Sequence, residues 1–358
     1  MRERIYLDWN ATTPIRAEAR AAIAAAMEIG GNPSSIHAEG RAAKALLERA
    51  RADVAEAFGA EPDEVIFTSG ATEAAALALA GRGCVGAAVE HDCVAAWVDP
   101  VLAVDAAGRV AVTEPERAAL QAANSETGIL QDLPPGLALV DAAQVAGKLP
   151  FAFGWTGART AILSAHKFGG PKGIGALLLR RGEERAPVLR GGGQETGRRA
   201  GTENLIGAAG FAAAAKAAVA DVAAGRWEEL AEVRNILEQA LEDEVPETIF
   251  VGKGAARLPN TSAFAVPGWK GETQVMAMDL AGFAVSAGSA CSSGKVRVSR
   301  TLSAMGYGPE VAGAALRVSL GPGTGREAVL AFAAAWGKSR RRARRQAGQG
   351  AAEGLERV

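Results

Sequence analysis

The stretch 164–179, SAHKFGGPKGIGALLL, sets a lysine directly after a serine and a histidine and follows it with glycines. Lys167 closes the apolar run AILSAH, so a strand ending here carries its amine to the strand's end rather than to a solvated helix face. Desolvation and cationic neighbours lower the pKa of a lysine so placed and free its lone pair for imine formation with a carbonyl compound. Taken alone, the peptide reads first as a lysine snorkelling outward from a strand end, and only second as an imine former. Its chemistry depends on what accompanies it.

Three other groups do. In EVIFTSGATEAAALALAG a strand, a glycine turn and a helix follow one another. Thr72 in the helix's first turn adds a hydroxyl to free N–H groups, a cradle for phosphate that reads equally as simple N-capping. LALVDAAQVAGK ends a buried strand in Asp141, with Gln144 three residues on and on the same face if a turn follows. AAVEHDCV places His91 at another strand end, suited to stacking on a flat ring and to proton transfer, though a lone histidine is often structural. Only three histidines occur, His37, His91 and His166, and two of them fall at these strand ends. An amine, an anion cradle, an acid to keep a pyridine nitrogen protonated and a flat group against the ring are what a pyridoxal phosphate site needs.

Such side chains require strand ends held side by side. Short aliphatic runs such as DEVIFTSG, CVGAAVEH, LALVDAAQ, TAILSAHK and GALLLRR alternate with longer Ala-rich stretches. That alternation predicts an α/β fold of βα units around a mostly parallel sheet, with ligands where the strands end. The 358 residues exceed what one hydrophobic core usually serves. Near residue 226 the texture changes: RWEELAEVRNILEQALEDEV carries Leu230, Val233, Leu237 and Leu241 at helical spacing. A long amphipathic helix there leads into a second domain, with a boundary near 250. At 49% hydrophobic and 5% aromatic, the interior is built largely from Ala, Val, Leu and Ile.

Lys plus Arg number 39 against 40 Asp plus Glu, a net charge of -1, so no general attraction draws the chain to nucleic acid or an anionic membrane. Small-molecule chemistry is the default. The N-terminus reaches Asp8 before any run of signal-peptide length, and no uncharged apolar run approaches the roughly 18 residues of a membrane span. A cytoplasmic protein with no membrane partner and no direct nucleic-acid binding is expected. Cys84, Cys93 and Cys291 form no CxxC pair, which argues against a disulfide framework and a cysteine zinc site, and no metal is expected. GRGCVG, 81–86, matches the dinucleotide pattern in its letters, but it follows a helical run and precedes a strand, the reverse of what that fingerprint needs. The tail SRRRARRQAGQGAAEG reads first as a solvated helix end that frays, and second as a nucleic-acid or partner patch.

In order, YLDWNATTP, GNPSSIH, FTSGATE, VEH, NSETG, VDAAQVAGKLP, SAHKFGGPKGIGAL, GGGQETGRRAGTEN, SAGSACSSG and LRVSLG run through nearly the whole chain. By these motifs it resembles the cysteine desulfurases, of the class V aminotransferase group of fold-type I pyridoxal phosphate enzymes. The resemblance implies a large domain, residues 14–250, with a mostly parallel central sheet, and a smaller α+β domain, residues 1–13 and 251–358, that carries a cysteine loop. It implies that Lys167 forms the imine with pyridoxal phosphate, Asp141 pairs with the pyridine nitrogen, Gln144 approaches the ring oxygen and His91 stacks on the ring. Thr72, Ser164 and His166 would hold the phosphate, and Thr202 would contribute to the neighbouring subunit's phosphate site, which makes a homodimer part of the expectation. Arg317, together with Asn32, would bind the substrate carboxylate, although an arginine in that strand could instead form a structural ion pair.

Cys291 lies among Gly and Ser with no apolar periodicity, which predicts a mobile loop. The resemblance makes it the nucleophile that takes sulfur from L-cysteine, leaving alanine and a persulfide for an acceptor protein or thiol to discharge. The acceptor decides the pathway, iron–sulfur cluster assembly among others. Cys84 and Cys93 read as structural. Ser125 stands where the family usually has the second asparagine of NSETG, so the ring-oxygen contact is shortened, bridged by water or supplied by Asn124. Ala74, Ala75 and Ala76 replace asparagines behind the phosphate cradle, and the Arg-rich tail does not resemble the segment with which housekeeping members dock their scaffold. A class V aminotransferase or carbon–sulfur lyase working without a persulfide, and a non-catalytic homologue, are the alternatives.

Overall fold

Strand Thr160–Ser164, TAILS, is buried along its whole length, and so are Val65–Thr68, Ala119–Gln121, Leu139–Asp141 and Gly175–Leu179. Aliphatic runs without polar alternation belong in a sheet covered on both faces, and in the computed structural model these five strands form one. It describes residues 4–288 and 298–355, with side chains to 345. The strand order is Val65–Thr68, Gly175–Leu179, Thr160–Ser164, Leu139–Asp141, Ala119–Gln121. The last three run parallel, and Gly175–Leu179 is antiparallel to both of its neighbours. A parallel pair, Val85–Ala87 with Asp99–Leu102, continues the sheet through a bridge from Val85 to Ala118. The mostly parallel sheet expected from the sequence is present, with one reversed strand.

Register places the chemistry. Gln121 opposes Asp141, Asp141 opposes Ile162, and Gly175 opposes both Ser164 and Thr68, so the strands deliver their polar end residues along one edge of the sheet. Ile66 and Phe67 point to opposite faces of it. On the side of Ile66, Ala74, Ala75, Leu77 and Ala78 of helix Ala71–Leu79 pack with Leu139, Ile162 and Leu177. Ala74 and Ala75 are wholly buried in that contact, where a methyl group is all that the helix puts against the sheet. On the other side Phe67 meets Phe211 of helix Leu205–Ala223, whose ring lies 5.5 Å from that of Phe168.

That 19-residue helix is long and apolar enough to cross a membrane by length and composition, although Lys216 and Asp221 interrupt its apolar run. It packs instead against helices Ala17–Met27 and Ala38–Ala57, the placement of a core helix.

Two compact units divide the chain. The sheet above belongs to the unit made of Asn10–Ser125 and Ile129–Arg226. The other takes the chain to Trp9, Glu126–Gly128 and everything from Trp227 on. It has an antiparallel sheet ordered Ser286–Ala287, Ala315–Ser319, Thr261–Ala265, Ile249–Val251, with strand Ile5–Tyr6 pairing parallel to Phe283–Ala284. The sequence put the change-over near 250; the units change at Arg226 and Trp227. Helix Glu229–Glu244 buries Leu230, Leu237 and Leu241 and packs on helix Arg326–Leu355, which draws it into the smaller α+β unit. At the start of the basic tail three arginines find acidic partners. Arg340 and Arg344 pair with Glu247 at 3.3 and 2.9 Å, and Arg341 with Glu244 at 2.6 Å.

Candidate active site

Beyond Ser164 the chain makes a single 3-10 turn, Ala165–Lys167. The main chain of this turn is strapped by residues 10–16. Thr13 donates its N–H to the carbonyl of His166 at 2.9 Å and its hydroxyl to the carbonyl of Lys167 at 2.8 Å, and Arg16 Nε donates to Phe168 O at 2.8 Å. With its backbone held, Lys167 directs Nζ to the carbonyls of Asn10, at 2.7 Å, and Ala11, at 3.1 Å. Gly169, at φ +92°, leaves room for the strap, since a Cβ there would meet the Arg16 side chain at 2.5 Å.

The amine opens on a cavity of about 490 Å³, of the size small-molecule sites have. Asp141 lines it from the next strand. One carboxylate oxygen accepts from the Ala143 N–H at 2.9 Å, and burial pushes the carboxyl up from its ordinary range against the pull of that hydrogen bond, His91 and Lys167. His91 caps the short helix Asp92–Ala95, where Nδ1 accepts from the main-chain N–H of Cys93 at 3.2 Å. A main-chain N–H only donates, so the neutral ring carries its proton on Nε2. The Cys93 sulfur lies 3.1 Å from the same nitrogen. Burial, then the Asp141 charge, pushes its thiol up, which makes it a poor nucleophile at neutral pH.

The first residues of helix Ala71–Leu79, with no side chain capping it from Gly70, line the same cavity, together with Ser164 and His166. Gly175 is required here by close approach, because a Cβ would meet Leu163 O at 2.5 Å and Gly70 Cα at 2.7 Å. His166 Nδ1 lies 3.1 Å from the Thr12 hydroxyl. Burial, then Lys167 and Lys172, lowers its pKa from 6.5 to about 4, so the ring is neutral at pH 7. The unfolded chain takes up this proton first as pH falls, so the apoprotein loses stability on acidification from about 6.5 to about 4. Thermal unfolding across that window is expected to show a shallower decline in His166→Gln than in the wild type, and an unchanged slope would rule out His166 as a source of acid lability.

The cavity therefore gathers seven of the expected residues: Lys167, Asp141, Gln144, His91, Thr72, Ser164 and His166. Asn124 is not among them. Its amide donates to Val89 O at 3.1 Å and Gln121 Oε1 at 3.3 Å, and Ser125 lines the cavity instead. Thr202 is exposed and borders a neighbouring depression with Thr68 and Arg199. Asn32 closes a local turn by accepting from Ser34 N at 2.9 Å. In the smaller unit Arg317 donates to Asp8 at 2.7 Å, the ion pair considered for that strand. Cys291 lies outside the described residues. Sequence reasoning missed Thr12, Gln121 and Lys172 as lining residues, and the Lys148 beneath them.

The model of the family described as aminotransferase class-V matches residues 5–96 and 104–332. The chain belongs to this family. Among class-V relatives, a cysteine desulfurase of Cereibacter sphaeroides is 40% identical, with 89% of this chain and 91% of the relative covered. The cysteine desulfurase IscS of Dictyoglomus turgidum is 34% identical, with 91% and 92% covered. In structure, the chain is similar to a NifS-like protein from Rickettsia africae, with a TM-score of 0.85, 29% identity and coverage of 94% and 99%. SspA in complex with cysteine gives a TM-score of 0.71 at 25% identity, covering 89% of this chain and 99% of that one. The cofactor of the class-V family is pyridoxal phosphate, and the cavity fits it. Its lining brings together a buried acid, an amine, a helix N-terminus with a hydroxyl and a neutral imidazole. Gln121, 2% exposed, lines the wall with an amide N–H₂ that has no partner among the described residues, a donor that an entering group would satisfy.

Proposed function

We propose that this class-V enzyme is a cysteine desulfurase that converts L-cysteine to L-alanine and leaves the sulfur as a persulfide on Cys291. The observation that carries the reading is one cavity in which adjacent strands end in Asp141 and in the Lys167 turn, in a chain 40% identical to a cysteine desulfurase over about nine-tenths of both. Bound there, pyridoxal phosphate supplies an electron sink for the pair left when the substrate's Cα–H bond breaks. Lys167 would anchor the cofactor, and its Nζ, positioned by the strap that fixes its backbone, would hold the substrate's α-proton. Asp141 would keep a positive charge at the pyridine nitrogen, His91 would stack on the ring, Gln144 would donate to the ring oxygen, and Thr72, Ser164 and His166 would hold the phosphate. Asn32 and Arg317 are assigned to the substrate carboxylate.

Cys291 as a thiolate takes the sulfur atom, and overall a thiol plus cysteine become a persulfide plus alanine. A homodimer, in which Thr202 serves the neighbouring phosphate site, belongs to the proposal. So do a sulfur-acceptor protein, service to iron–sulfur assembly, and a cytoplasmic location, where thiols stay reduced. The test is release of alanine and sulfide from L-cysteine under reductant by wild type and by Cys291→Ala at equal cofactor occupancy. Equimolar products from the wild type and loss of most sulfide from the variant are expected. Undiminished sulfide in the variant would replace this reading with a carbon–sulfur lyase, and absence of alanine from both would remove it.

A further inference from the structure

Lys148 is wholly buried, a placement lysine almost never takes. It lies four residues beyond Gln144, in the turns that follow strand Leu139–Asp141. Its ammonium donates to two side-chain oxygens, Asn10 Oδ1 and Gln144 Oε1, each at 2.8 Å. Gln144 in turn donates Nε2 to the main-chain carbonyl of Asn10 at 3.0 Å, and that carbonyl also accepts the Lys167 amine at 2.7 Å. Four residues thus share one network, and two of them, Gln144 and Lys167, line the cavity.

A carboxamide can turn over and exchange its oxygen and nitrogen with little change in shape, so which end faces a ligand must be decided by its partners. An ammonium has three donors and no acceptor. With Lys148 below it, Gln144 can present only oxygen downward, and its N–H₂ group is left for the Asn10 carbonyl and the cavity. A ring oxygen bearing negative charge needs that orientation, since the flipped amide would set oxygen against oxygen.

We infer that Lys148 is a positioning residue that locks the Gln144 amide with its N–H₂ toward the cofactor's ring oxygen and braces the Asn10 segment that receives Lys167. The inference rests on the pyridoxal phosphate reading above. Lys148 acts through Gln144, and its own charge is a separate, weaker influence on a pocket that already holds Asp141, His91, His166, Lys167 and Lys172.

The experiment is a double-mutant cycle on Lys148→Met and Gln144→Leu. Each protein is stripped of cofactor and titrated with pyridoxal phosphate, followed by tryptophan fluorescence, and the pH midpoint of the bound cofactor's visible band is then measured. Losing one donor to a charged oxygen is expected to weaken binding by about tenfold in Lys148→Met and to move the midpoint upward, because the ring oxygen then holds a neighbouring proton more strongly. In the Gln144→Leu background the same Lys148 substitution should change both readings less than twofold. An undiminished effect there would overturn the inference in favour of a charge effect, and no effect in the single variant would overturn it outright. If Lys148→Met does not fold, Gln144→Glu tests the same point. It gives Lys148 an oxygen and an opposite charge but removes the N–H donor, so the midpoint should rise in a stable protein, and an unmoved midpoint would count against the inference. A wild-type protein that neither quenches nor develops a visible band would instead defeat the cofactor reading itself.

Discussion

Lys167→Ala is expected to retain its fold and lose turnover of L-cysteine by about 10⁴-fold. The fold survives because what secures this turn is its main chain: Thr13 bonds to the carbonyls of His166 and Lys167, and Arg16 to that of Phe168. None of these involves the lysine side chain. What disappears is Nζ, and with it the covalent anchor and the base. Asn10 O keeps the Gln144 N–H, so no buried carbonyl is stranded there. Lys167→Arg sharpens the test. It keeps the positive charge, but guanidinium does not deprotonate in proteins, so a role confined to charge predicts near-normal turnover, whereas an amine that must lose its proton predicts a second inactive variant. The measurements are alanine formation and the visible band remaining after gel filtration. Wild-type turnover in either variant would remove Lys167 from the chemistry.

The strand-end residues were legible because each is the last polar position after a buried aliphatic run, and the sheet's register sets those ends side by side. For Asn124 and Ser125 the sequence holds a local signal, the alternation of an extended chain. Gln121, Ala123 and Ser125 line the cavity and Asn124 does not, the period of two that an extended chain imposes. Once Gln121 ends a strand on the ligand side, Ser125 shares its face and Asn124 turns to Val89. Lys148 gives no such signal. A lysine in AAQVAGKLP looks like a solvated turn residue, and only the tertiary approach of Asn10, 138 positions away in sequence, supplies the oxygens that let it be buried. The boundary at 226 was hidden for the same reason. Helix Glu229–Glu244 shows its apolar stripe in the sequence, but the helix that covers the stripe begins at Arg326.

Asp141→Asn is expected to move stability and activity in opposite directions. Asparagine keeps an oxygen to accept from the Ala143 N–H, so the substitution removes a charge and little else. In the apoprotein that charge is a burden: burial holds the carboxyl's pKa above its unfolded value, so the folded state binds the proton more tightly and stability falls as pH rises beyond the ordinary carboxylate range. The amide that replaces it carries no such proton, and the variant's apoprotein should therefore unfold at an equal or higher temperature than the wild type at pH 7, with the advantage shrinking toward pH 4. With cofactor bound the sign reverses. A neutral amide does not hold a proton on the pyridine nitrogen, the ring becomes a weaker electron sink, and loss of one preorganised charge of this kind costs about 10²–10³-fold in turnover. Calorimetry of the two apoproteins at pH 4 and 7, beside alanine formation by the two loaded enzymes, checks both halves. Lower apoprotein stability at pH 7 would mean that Asp141 serves the fold before the cofactor. Retained turnover would mean that the pyridine nitrogen draws its proton from another group, and the cavity's acid would need a different role.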